Sequence, residues 1–82
     1  MEIIELFAKK KAEYFINKAV FCENDLDIPG AIKFYDKAIK ANPHSYDAYN
    51  FRGIMKMSAH DDKGSMLDFS MAIEINPHFK YA

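Results

Sequence analysis

Three histidines, one cysteine and two groups of lysines are the side chains of this 82-residue chain best suited to chemistry. His44 and His78 each follow Asn-Pro, and the two Asn-Pro-His triplets lie 34 residues apart. A shared metal would need both imidazoles about 2 Å from one ion. Equivalent residues of stacked helical units sit on the order of 10 Å apart, so both histidines are expected at the starts of helices. His60 is followed by Asp61 and Asp62, which reads as a solvated turn. Cys22 has no motif-fixed base or cation to hold it as a thiolate, and is expected to pack, wholly or partly buried. Lys9-Lys10-Lys11 and the stripe Lys33, Lys37, Lys40 could touch an acidic partner. Along a helix, however, Glu5 and Glu13 can pair with the first group. Nucleic-acid binders add exposed aromatics or strong net charge, whereas 11 basic residues here face 12 acidic ones. No phosphate-cradling loop or nucleophile motif is present. The expectation is no catalytic residue, no cofactor and no metal, hence a chain that is not an enzyme and works by binding through its surface.

The elements that must shape this surface follow from the 34-residue spacing, a period that belongs to helical-hairpin repeats. Under that shift Phe15 falls on Tyr49, Ala19 on Gly53, Ala31 on Ser65, Tyr35 on Phe69 and Ala38 on Ala72. Small residues fall on small ones and aromatics on aromatics. Ala19 with Ala31, and Gly53 with Ser65, are small enough for two antiparallel helices to approach closely while aromatics fill the space around the contact. Pro43 and Pro77 lack an N–H and mark the breaks between units.

On these residues the chain resembles the tetratricopeptide repeat (TPR) family. The resemblance covers about residues 12–78. It implies an all-α fold of two antiparallel helical hairpins stacked in a right-handed curve, with an extended N-terminal helix. The units are 12–45 and 46–79, preceded by a helical extension at 1–11 and followed by the start of a truncated third unit at 80–82. Two positions depart from the family pattern. Lys18 and Arg52 stand where it has leucine, and Leu26 and His60 stand where it has the turn glycine; the turns are therefore expected to be looser than usual.

The first helix is expected over about Glu2–Asn24, with Ile3, Leu6, Phe7, Tyr14, Phe15 and Phe21 at helical spacing. Asp27 is a plausible N-cap for the second helix, with Pro29 in its first turn, and that helix runs to about Ala41. Ser45 caps a third helix reaching about Ala59, and Asp62 is expected to cap a fourth ending near Asn76. Met55, Met57, Met66 and Met71 read as adaptable packing. The single cysteine fits a reducing compartment, so a cytoplasmic location is expected. No stretch approaches the ~18 apolar residues of a membrane span.

The resemblance also implies which side chains line the concave side: Glu13, Ile16, Val20, Glu23 and Asn24 in the first unit, and Asp47, Asn50, Ile54, Met57 and Ser58 in the second. That face is apolar at its centre and acidic at its edges, so a protein or peptide partner with an apolar stripe and basic flanks complements it. The carboxylate clamp of some TPR domains is not carried over, because Ile16, Val20 and Phe51 occupy its places. Lys33 and Lys37 become Leu67 and Met71 under the shift, two hydrophobes on a face that is normally wet. Self-association, giving a homodimer or larger homo-oligomer, is the alternative use of the surface, either at Leu67 and Met71 where the stack ends or with the long first helix of one chain packed on another. Membrane and nucleic-acid partners are not expected.

Overall fold

The computed structural model describes residues 2–78. Its four helices are α1 (Glu2–Asn24), α2 (Ile28–Ala41), α3 (Tyr46–Ser58) and α4 (Asp62–Ile75), and the described residues contain no strand. Helix α1 packs on α2, α2 on α3, and α3 on α4. This is an all-α stack of two hairpins and fits a TPR-like architecture. The expected start of a third unit at 80–82 lies outside the described residues.

The core is where the 34-residue match put small residues. Ala19, Ala31, Ala38, Ala48 and Ala72 are fully buried, and Gly53 and Ser65 are buried with them. Ala19, Ala31, Tyr35 and Met55 form one cluster, supported by Ile16, Cys22, Ile28, Ile32, Phe34 and Phe51. Ala12, Ala38 and Ala48 form a second, with Phe15, Ile39 and Ala41 against it. A methyl group added at Gly53 would lie 2.8 Å from Phe69 Cε1. The approach of α3 to α4 thus depends on the missing side chain. Met55 is the buried methionine; Met57, Met66 and Met71 are exposed, so those three do not fill gaps as the sequence suggested.

The two hairpin turns are built alike. Leu26 N–H donates to Glu23 O (2.9 Å) and Asp27 N–H to Cys22 O (2.8 Å). His60 N–H donates to Met57 O (3.0 Å) and Asp61 N–H to Lys56 O (2.8 Å). This crossed pair of bonds is the Schellman closure of a helix end, which needs a left-handed residue at the position that glycine usually holds. Leu26 and His60 adopt it at φ 59° and 66°. The turns are therefore not looser for want of glycine; their bonds are made and the backbone bears the strain.

The residue after each strained position caps the next helix. Asp27 accepts from Gly30 N–H, and Asp61 from Gly64 N–H, both at 3.0 Å. The α4 cap is thus Asp61, not Asp62: the Schellman closure leaves the residue after His60 just outside the helix, as it leaves Asp27 after Leu26. Between the hairpins, Ser45 caps α3 by accepting from Ala48 N–H (3.3 Å). His44 lies in the turn before that cap and not in a helix. The Asn-Pro-His triplets have a structural purpose. Asn42 Oδ1 accepts from His44 N–H (3.2 Å) and Asn76 Oδ1 from His78 N–H (3.3 Å), the Asx-turn bond that ends one unit and starts the next.

Candidate functional site

The residues expected on the first helix of each hairpin are three or four apart: Glu13, Ile16, Val20 and Glu23 on α1, and Asp47, Asn50, Ile54 and Met57 on α3. One helical stripe per helix is what this spacing produces. Where α1 meets the start of α3, a cleft of about 340 Å³ opens. Glu13, Ile16 and Asp47 line it, joined by Lys9, Asn42 and His44, which sequence reasoning had not assigned to it. Val20, Ile54 and Met57 continue the stripes with their side chains exposed, while Ile16 and Asn50 are half-buried. Acid at Glu13 and Asp47 therefore flanks an apolar centre, with Lys9 the basic group in the cleft.

Glu23 is the member of this set with a prior engagement. Tyr35 Oη donates to Glu23 Oε2 across the α1–α2 hairpin. Tyr35 is fully buried. Burial first, then the hydrogen bond and charge of Glu23, raise its phenol well above the ordinary tyrosine range. The neutral phenol is what the fold holds. Glu23 fixes the hairpin at the edge of the face more than it offers a free carboxylate.

The feature that sequence reasoning missed is an ionic clamp at the junction of the hairpins. Arg52 Nε and Nη2 donate to the two carboxylate oxygens of Asp68 at 2.8 and 2.7 Å, and Nη1 donates to Asp36 at 2.7 Å. Lys56 Nζ reaches Asp68 at 3.3 Å. Asp36 is on α2 and Asp68 on α4, so one guanidinium on α3 ties both hairpins. Asp68 is only 3% exposed; a planar bidentate donor is what such a carboxylate requires. The bond to Asp68 above all, then Asp36, raises the Arg52 pKa further despite burial, so it stays charged. A signal existed in the sequence: Asp68 falls on Phe34 under the shift, a charge in an aromatic's place.

The remaining candidates are dispersed. Leu67 and Met71 are exposed one turn apart on α4, beside exposed Met66. Lys11, Lys37 and Lys40 gather around Phe15, and the Lys37 ammonium rests 5.8 and 5.5 Å from the ring centres of Phe15 and Phe34. Cys22 is half-buried against the first core cluster. The side chains of Glu5, Glu13 and Lys9 are all exposed. Among the described residues no three His, Cys, Asp or Glu side chains converge as metal ligands, and no helix is long and apolar enough to cross a membrane.

Over 70 residues the chain is 33% identical to a UDP-N-acetylglucosamine--peptide N-acetylglucosaminyltransferase of Giardia intestinalis; the matched stretch is 85% of this chain. The chain spans 5% of that protein's length. No protein-family profile matches the chain, and no solved structure matches it significantly.

Proposed function

We propose that the chain is a TPR-like protein-interaction module that docks a peptide or helix on the face formed by α1 and α3. The observation that carries this reading is the cleft between the two helices, lined by Ile16, Glu13 and Asp47, with Val20, Ile54 and Met57 exposed on the same two helices. An apolar centre with an acidic rim selects an amphipathic segment with basic flanks. The likeness to a small part of a much longer transferase agrees with a module that serves as one unit among others. The transferase's chemistry is not assigned to this chain.

The test starts from peptides selected on the folded chain from a displayed library. Calorimetric titration should show that Ile16→Glu or Ile54→Glu weakens the best peptide at least about tenfold, the cost of setting a charge against an apolar anchor. Selected peptides that bind both variants unchanged would refute this assignment. A second reading, self-association through Leu67 and Met71, is supported by their exposure beside Met66. Leu67→Lys with Met71→Lys should then weaken a dimer in sedimentation; a dimer indifferent to both changes counts against it.

A further inference from the structure

A further uncovered apolar surface is on neither of those faces. It runs the length of α1 on the side opposite buried Ala12 and Ala19. Ile3, Phe7, Lys10, Tyr14, Asn17 and Phe21 follow one another at alternating steps of four and three residues. This is the 3.5-residue period of a helix that packs against another helix along its whole length. The four apolar members are 68, 70, 56 and 72% exposed in chain order. Within the seam, Tyr14, Asn17, Lys18 and Phe21 border a hollow of about 300 Å³, room for a side chain from outside. Isolated exposed hydrophobes need no cause, but a continuous stripe of them on so small a chain does.

We propose that this seam is a self-association surface, on which the α1 helix of a second copy of the chain packs. Three observations favour that occupant. The period calls for a partner helix with the same period, and α1 itself supplies one. The four apolar members, with flanking Leu6, expose on the order of 600 Å² together, a large part of the ~800 Å² that each partner of a stable complex buries. Simple extension of the stack is also disfavoured. Tyr14 falls on Ala48 under the 34-residue shift, and Ala48 is sealed against Ala38 where α3 meets α2. An α4-type helix seated on α1 in that geometry would meet a phenol where only a methyl fits. Pairing like with like closes the assembly as a dimer, whereas head-to-tail stacking would leave it open. Lys10 and Asn17 are polar places in the seam, which lower stability and fix register. The lysine stem still covers apolar surface while its ammonium stays in water.

The surface is separate from the α1–α3 cleft, and it competes with self-association through Leu67 and Met71, so the two pairs of substitutions tell the two dimers apart. Sedimentation equilibrium of the whole chain from about 1 µM to about 1 mM, a range set by the affinity scale for modest interfaces, should show a monomer–dimer equilibrium. Phe7→Lys with Phe21→Lys should weaken it at least about tenfold. Both rings are exposed, so circular dichroism should show helix content unchanged. Leu67→Lys with Met71→Lys should leave the equilibrium as it is. A monomer across the whole range overturns the proposal. So does a dimer that survives the phenylalanine changes.

Discussion

Replacing Arg52 by leucine, the residue that the TPR pattern places there, should destabilise the chain, because Asp68 would lose its bidentate partner while remaining only 3% exposed. Removing one member of a buried ion pair costs roughly 3–5 kcal/mol. Lys56, 3.3 Å from Asp68, keeps one contact, and Asp36 is half exposed and can turn to water. The lower end, about 3 kcal/mol, is therefore expected. A chain of this length is stable by about 4–12 kcal/mol at 0.05–0.15 kcal/mol per residue, so the loss would be a large share of the total. Asp68→Phe alone, which installs the residue found at the equivalent Phe34, leaves Arg52 with Asp36 and should cost about 2 kcal/mol. The double variant, Arg52→Leu with Asp68→Phe, exchanges the ion pair for an apolar contact between α3 and α4. It should come within about 1 kcal/mol of the parent. Urea unfolding followed by far-ultraviolet circular dichroism gives all four corners of this cycle, with a favourable interaction of at least about 2 kcal/mol between the two positions. A single Arg52→Leu change costing under about 1 kcal/mol, or a double variant as unstable as the two losses added, would refute the clamp.

Other outcomes follow from the same structure. Leu26→Gly and His60→Gly should each stabilise by roughly 0.5–1 kcal/mol, because relief of the left-handed strain exceeds the entropy that glycine adds to the unfolded chain; urea midpoints should rise, and a fall would show that the turns carry no strain. Gly53→Ala should lose about 1 kcal/mol despite alanine's better helix propensity, since its methyl meets the Phe69 ring at 2.8 Å; a gain would mean that the ring yields freely. Tyr35 is held neutral, with its folded pKa raised above the unfolded value of about 10. Its share of stability is therefore full below pH ~10 and drains away as pH rises from there toward the folded value. Urea midpoints measured from pH ~8 to ~11 should fall at the alkaline end, and less so in Tyr35→Phe, which has no phenol to ionise; equal slopes would contradict the account.

The residues that specified the fold locally were readable in the chain. The pairs Ala19/Gly53, Ala31/Ser65 and Tyr35/Phe69 announced the hairpins, and Asp27 and Ser45 announced two caps, because these signals depend on neighbours along one helix or one turn. Asp61 was misassigned by one residue because the cap position depends on where the Schellman closure ends, and that closure was hidden by the absence of glycine at His60. The clamp lay further out of reach. Arg52 was visible as a departure from leucine, but its partners are 16 residues away on either side, and only the comparison of Asp68 with Phe34 pointed toward a buried charge. The proposed docking face could be read only as stripes of residue types. The cleft could not be read, since Lys9 and His44 enter it through the angle between α1 and the turn before α3, which no periodicity encodes.

The central claim is that α1 and α3 together form the docking face. Amide chemical-shift mapping during titration with a library-selected peptide tests it most directly. The account predicts that the changes gather on Glu13, Ile16, Val20, Asp47, Asn50, Ile54 and Met57 and leave the solvent-facing sides of α2 and α4 still. Changes confined to α2 and α4, with α1 and α3 unmoved at saturation, would contradict it.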